Sequence, residues 1–293
     1  MEDKAKKKID RARAMLINRP GFFHCPVCQS PMFVDANLNM ACANGHNFDF
    51  SKKGSLNLLT AATSAAYPRD LFTARHQVLG AGFCDPLIQE LARIIKIHAA
   101  GRINVLDAGC GEGSNLYNIY QAMGSIPGYF YVGADISKYS IQIAASNNAD
   151  IIWCVADLAR LPFSGQTFDF VLNILSPANY KEFHRILNQQ GLVIKVVPGT
   201  NYLKELREII YQDGKAAYYS NQEVISLFQH NLELLDMVKL NYTFTIDDEL
   251  WPHFIKMTPL VWGSSADNLR RLLDSRLREI TVDLILLTGA KKN

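Results

Sequence analysis

Asp107-Ala-Gly109-Cys-Gly111-Glu112-Gly113 follows the apolar run Ile103 to Leu106, and Asp135 closes a second apolar run, Tyr129 to Gly133. Glycines at 109, 111 and 113 let a backbone turn sharply and approach a ligand closely, and a helix that follows offers unpaired N–H groups. A dinucleotide would lay its pyrophosphate there. Position 114, however, is Ser where the dinucleotide fingerprint has its third glycine, and Glu112 would set a negative charge beside two phosphates. S-adenosylmethionine carries no phosphate. Its ammonium and sulfonium groups suit a cleft edged by Asp107 and Glu112, and Asp135 can accept hydrogen bonds from both ribose hydroxyls. Asp157 closes the next apolar run, Ile151 to Ala156, where an adenine contact is expected. The plain alternative is a tight turn with a buried acid; Asp135 and Asp157 at successive strand ends argue against it.

A second constellation lies near the N-terminus. Cys25-Pro-Val-Cys28, thirteen residues, then Cys42-Ala-Asn-Gly-His46 gives two short loops that each supply a pair of zinc ligands. Pro26, Pro31 and Gly45 mark turns, while Met32-Phe33-Val34 and Asn47-Phe48-Asp49-Phe50 read as short strands of a small β ribbon. Four protein ligands leave no open coordination position, so one structural zinc per chain is expected. So small a region buries too little apolar surface to fold alone, and the metal is expected to stand in for a core. His24 reads as a neighbour rather than a ligand. Cys84, Cys110 and Cys154 are scattered and read as small buried residues, a pattern that suits a reducing compartment.

The elements that must position these residues follow from periodicity. Alternating strands near 103–107, 129–134, 151–155, 168–174 and 191–197, with helices near 113–123, 137–146, 178–188 and 200–212, predict an α/β fold with a doubly wound, mostly parallel sheet. Before them, residues 71–99 read as helical, broken around Gly80 to Gly82 and Pro86, after a linker of small residues, Thr60 to Ala66. After them come β-rich runs, Leu232 to Ile246 and Glu279 to Thr288, separated by an insertion holding Trp251, Met257 and Trp262; a final antiparallel strand fits this tail. The division expected is a basic extension over 1–20, a zinc module over 21–60, a helical linker over 61–99 and a cofactor-binding domain over 100–293. In such sheets ligands lie at the carboxyl ends of the strands, so Asp107, Asp135, Asp157 and the segment Asn173 to Tyr180 should share one rim. Among 293 residues, 48% are hydrophobic and the net charge is only +2, which supplies a sizeable core but does not mark a nucleic-acid binder. Lys4, Lys6, Lys7, Lys8, Arg11, Arg13 and Arg19 crowd the start and read as a frayed, solvated terminus rather than as the alternative, an RNA-facing arm. Lys52 and Lys53, directly after the metal module, are better placed to meet phosphates. No run of about 18 apolar residues and no export signal is evident, so no membrane contact and a cytoplasmic location are expected.

Several features now combine: the Cys25/Cys28/Cys42/His46 set, Lys53-Gly54-Ser-Leu-Asn57-Leu58-Leu59, Ala74-Arg75, Gly82 and Pro86-Leu87. They continue with the loop 107–113, Asp135-Ile-Ser137-Lys138, Leu161-Pro162-Phe163, Pro198-Gly199, Leu203-Lys-Glu205-Leu206 and Met257-Thr258-Pro259. In this order, from about residue 23 to the C-terminus, the chain resembles the bacterial 23S rRNA (guanine-N1)-methyltransferases of the RlmA type. The resemblance implies a class I, Rossmann-like methyltransferase fold and S-adenosylmethionine as methyl donor. It also implies N1 of a guanine in a 23S rRNA hairpin loop as acceptor, and homodimers whose zinc modules flank an RNA cleft. It places Cys84 and Tyr202 close to the cofactor, although the family usually has Tyr and His there. Asn173, Ser176 and Asn179 are candidates to hold the base edge and Tyr180 or Tyr202 to stack on it, while Pro177 and Asn179 would also suit the start of a helix. His184 reads as structural. A methyltransferase acting on another RNA or a small molecule, and a non-enzymatic RNA-binding protein, stay open at this point.

Overall fold

The structure, a computed structural model, describes residues 7–61, 68–211, 220–261 and 264–292. Lys4 and Lys6, positions 62–66 of the linker, residue 212 of the helix expected over 200–212, and Trp262 lie outside the described residues. The basic N-terminus departs from expectation. Lys8–Ile17 forms helix α1 instead of a frayed tail, because Ala12 and Leu16, four residues apart on one helical face, are both buried. Beyond it the Arg19 guanidinium lies 3.9 Å from the Phe130 ring centroid and donates to Asn104 Oδ1 at 3.1 Å, tying the segment to the main domain.

The zinc region is a three-stranded antiparallel sheet of β1 (Met32–Val34), β2 (Met40–Cys42) and β3 (Asn47–Phe48) in that order. It does not rest on metal alone, as the sequence suggested. Phe22 packs edge-on against Phe130 and Phe168, with ring centroids 5.1 and 5.4 Å apart, and Phe23 forms a β-bridge with Phe163. The segment that follows, β4 (Leu56–Asn57), leaves the small sheet and joins the outer edge of the large one.

Helices α2 (Arg69–Gly80) and α3 (Asp85–His98) precede the alternating part: β5 (Ile103–Ala108), α4 (Ser114–Met123), β6 (Tyr129–Asp135), α5 (Lys138–Asn147), β7 (Ile152–Val155), β8 (Phe168–Ile174), α6 (Tyr180–Ile186) and β9 (Leu187–Pro198). Then come α7 (Lys204–Ile210), α8 (Gln222–Asn231), β10 (Leu232–Thr245), α9 (Trp251–Met257), α10 (Ala266–Ser275) and β11 (Glu279–Lys291). The large sheet runs β10-β11-β9-β8-β5-β6-β7-β4, and β11 is antiparallel to both its neighbours while the other pairings are parallel. The doubly wound, mostly parallel sheet with an antiparallel strand tucked into its end is as the sequence implied. Helices α8, α9 and α10 were not expected. Chain order reverses between β5 and β8, where Asp107 stands opposite Leu172, and this is the switch point at which such sheets open a crevice.

Candidate active site and metal centre

Cys25, Cys28, Cys42 and His46 bring three Sγ atoms and one ring nitrogen within 4.8 Å of one another. Sγ of Cys28 and Sγ of Cys42 are 3.7 Å apart, and Sγ of Cys42 is 3.5 Å from His46 Nδ1. A tetrahedron with Zn–S near 2.3 Å has edges of about 3.7 Å, so these donors fit zinc and no larger reorganisation is needed. Hydrogen bonds from the Ser30 hydroxyl and backbone, with the Asn44 amide behind them, push the Cys28 thiol down to about 5 and favour the thiolate a metal requires. His24 is not in the cluster; its backbone N–H donates to Pro162 O.

At the switch point, the loop between β5 and α4 is built on close approaches. Gly109 has φ of 86°, and a Cβ there would fall 2.0 Å from Ser176 Oγ; at Gly113, φ 85°, it would fall 2.6 Å from the Trp153 ring. Asp135, at the end of β6, accepts hydrogen bonds from the Gly111 N–H at 2.9 Å and the Ser137 N–H at 2.8 Å. One carboxylate thus fixes the loop and the start of α5, and it keeps lone pairs for a ligand. Asp107 and Glu112 are buried. Arg75 from α2 lies 3.2 Å from Glu112 Oε2, an ion pair set too obliquely for a directed hydrogen bond. Nothing in the sequence around Arg75 signals this role, because it arrives from a helix outside the alternating pattern. Oδ1 of Asp107 and Oδ1 of Asn115 are buried without a partner among the described residues. Burial, with Asp135 and Glu112 close by and Arg75 only partly offsetting them, pushes the Asp107 carboxyl up to about 7. A cationic ligand placed there would restore its charge. Orphaned acceptors beside three acids, Asp107, Glu112 and Asp135, fit S-adenosylmethionine.

Two cavities flank Ser176 and Pro177. The larger, about 650 Å³, is bordered by Gly109, Asp135, Asp157, Asn179 and Tyr180; the smaller, about 380 Å³, by Arg75, Cys84, Asn115, Lys195 and Tyr202. Most candidates from the sequence therefore meet at one rim.

A family model described as "RlmA, N-terminal", a zinc ribbon, matches residues 23–63, and one described as "Methyltransferase domain" matches residues 105–191. The Bacillus subtilis protein named "Putative 23S rRNA (guanine-N(1)-)-methyltransferase YxjB" is 39% identical over 280 residues, covering 92% of this chain and 97% of its own. This chain belongs to the RlmA-type 23S rRNA (guanine-N1)-methyltransferases. The Streptomyces fradiae 23S rRNA (guanine(748)-N(1))-methyltransferase is 29% identical over 258 residues, 85% of this chain and 89% of that one. In fold, the YcgJ protein of Bacillus subtilis superposes with a TM-score of 0.50 at 17% identity, over 70% of this chain and 98% of that one.

Within this RlmA-type site the remaining candidates separate. Asn173 has no exposed surface; its amide donates to Ala108 O at 2.9 Å and Pro177 O at 3.0 Å, so it braces the loop after β8 and does not face a cavity. Asn179 caps α6, its side chain accepting from the Glu182 N–H at 3.2 Å, while still bordering the larger cavity. Tyr180 is buried with its ring edge-on to Phe183 and Phe228, so it packs in the core while bordering the larger cavity. Asp157 is exposed and accepts from the Ala159 N–H at 2.8 Å. Cys84 is buried, and burial pushes its thiol up to about 12, so it meets any ligand as a neutral group. His184 is structural: Nε2 lies 2.7 Å from Asn231 O. Lys195, in the middle of β9, was missed. An apolar run, Leu192 to Val197, hides it, and only the sheet's topology brings it to the rim.

Proposed function

We propose that this protein transfers a methyl group from S-adenosylmethionine to N1 of a guanine in a hairpin loop of 23S rRNA. What carries the reading is the union, in one chain, of an RlmA-type Cys3His zinc ribbon with a glycine loop whose acids converge at the sheet's switch point. Bound there, S-adenosylmethionine supplies an electrophilic methyl group. Asp107 and Asn115 offer acceptors to its ammonium end, Asp135 to its ribose and Asp157 to its adenine. Guanine N1 faces the partner strand in a duplex, so the base must be unpaired or flipped to enter the smaller cavity, and holding it in line with the methyl group supplies much of the rate. A ribosomal RNA substrate places the work in the cytoplasm, and among the described residues no helix is long and apolar enough to cross a membrane. A homodimer whose zinc modules line the RNA cleft completes the reading, with residues 21–60 serving the RNA and residues 100–293 the chemistry.

The product test is direct. A methyl group on N1 removes the donor that pairs with cytosine, so reverse transcriptase should stall one nucleotide before it. Wild-type protein with S-adenosylmethionine is expected to create one stop, at a loop guanine of protein-free 23S rRNA, and Gly111→Arg, with its loop blocked, none. A methyl group on a pyrimidine, or on no ribosomal RNA, would sink the substrate assignment while leaving the fold intact.

Lys52 and Lys53 are exposed in the turn before β4. Changing both to Ala is expected to lower RNA affinity and reduce the salt slope by about 0.7–0.9 per lost phosphate contact. Cofactor affinity should hold. An unchanged slope would return both lysines to ordinary solvated surface.

A further inference from the structure

Lys195 is a buried amine in the smaller cavity, about 380 Å³, which lies within the range of ligand pockets. Its Nζ lies 2.6 Å from Asn173 Oδ1 and 3.0 Å from Ser176 O. Both partners can only accept, because the Asn173 amide hydrogens are already committed to Ala108 O and Pro177 O, which fixes its oxygen toward the lysine. A neutral amine has two N–H groups and one lone pair. Two fixed acceptors therefore take both N–H groups, and the remaining direction is left for the cavity that Lys195 lines.

Burial lowers the Lys195 ammonium to about 8, so that neutral form becomes the majority above about pH 8, and among the described residues no carboxylate pairs with it. The other titratable groups on this cavity are Arg75 from α2, Cys84 before α3 and Tyr202 after β9; Arg75 is paired with Glu112. From the neighbouring strands, β8 presents Asn173 and β11 places Leu287 opposite Lys195. An unpaired buried amine lowers stability, and catalysis is a reason to keep one.

Resting on the function proposed above, we infer that Lys195 is the catalytic base that takes the N1 proton of the acceptor guanine. The N1–H bond breaks and its proton moves to the lysine lone pair. The electron pair left on N1 forms the bond to the methyl carbon, and the pair of the carbon–sulfur bond stays on sulfur. The ammonium formed returns its proton to water as the product leaves.

The test uses the full-length protein, protein-free 23S rRNA and single-turnover methyl transfer from pH 6 to pH 9.5. The wild-type rate should rise with pH and level off above about 8, the value to which burial brings the lysine. Lys195→Met should lose about 10²–10⁴-fold, the usual contribution of a positioned base, and its residual rate should climb without levelling. Its calorimetric affinity for S-adenosylmethionine should stay within twofold, while its melting temperature should fall modestly, because Asn173 Oδ1 and Ser176 O lose their donor. Lys195→Ala should regain rate on addition of ethylamine. A Lys195→Met rate within threefold of wild type overturns the inference, as does a wild-type rate that falls through the same pH range. Loss of activity together with weakened S-adenosylmethionine binding and no rescue by ethylamine makes Lys195 a structural residue and overturns it too. If wild-type protein forms no N1-methylguanine, the proposed function itself fails, and this inference with it.

Discussion

Cys42→Ala is expected to emerge from purification without zinc and with residues 26–50 open to protease, while the large sheet still melts cooperatively. Cys42 ends the central strand of the small sheet and is buried, and its Sγ lies within 3.7 Å of the Cys28 Sγ and 3.5 Å of His46 Nδ1. Removing it leaves three donors and exposes the ion to water. In finger peptides the apparent binding free energy of structural zinc is about 10–16 kcal/mol, and where a module lacks its own core that binding energy is folding energy. Here the loss should stop at a definite point. Phe22 and Phe23 remain held by Phe130, Phe163 and Phe168, and the His24 N–H by Pro162 O, so cleavage should begin after Cys25. Metal analysis with mass-spectrometric mapping of limited proteolysis checks both parts. One zinc per chain in the variant, or an unaltered cleavage map, would show that Cys42 has been misassigned as a ligand. Affinity for S-adenosylmethionine should not change, because no ligand of the metal lines either cavity.

That boundary shows what the sequence can and cannot reveal. Zinc ligands are legible because coordination chemistry demands particular residue types at short spacing, and strands β5 to β9 because continuous apolar runs separated by helical periods admit one sheet type. Phe22 and Phe23 carry no such signal: two adjacent aromatics before a Cys look like any apolar pair until Phe163 and Phe168, some 140 residues on, are folded against them. Helix α1 was misread for a related reason. Its charges dominate the composition, whereas its stability comes from Ala12 and Leu16, two small contributions visible only with a partner surface in place. In the candidate site the acids at strand ends could be read from position, but Arg75 and Lys195 could not. One arrives from a helix outside the alternating pattern, and the other sits in a strand whose neighbours are all apolar. Asn173 illustrates the reverse error: a polar residue at a strand end suggests ligand contact, yet its hydrogen bonds are used up inside the protein.

Asp135→Ala is expected to weaken S-adenosylmethionine binding by about 10²-fold or more, since two charge-assisted hydrogen bonds to the ribose are worth about 1.5–3 kcal/mol each and tenfold is about 1.4 kcal/mol. The structure adds a second effect. The same carboxylate holds the N–H of Gly111 and that of Ser137, both in buried residues, so truncation leaves two donors without acceptors at about 1–3 kcal/mol each. The ligand-free protein should therefore melt lower as well. Asp135→Asn separates the two roles. It keeps one oxygen for the loop but has no negative charge, so its melting temperature should lie nearer wild type than its cofactor affinity does. Calorimetric titration with S-adenosylmethionine, paired with melting of the free protein, gives both readings for both variants. If Asp135→Ala melts low but binds as tightly as wild type, the carboxylate only braces the glycine loop and the ribose is held elsewhere. If neither property moves, the assignment of the β6 strand end to the cofactor fails, because no other acid lining the larger cavity also touches the loop between β5 and α4 among the described residues.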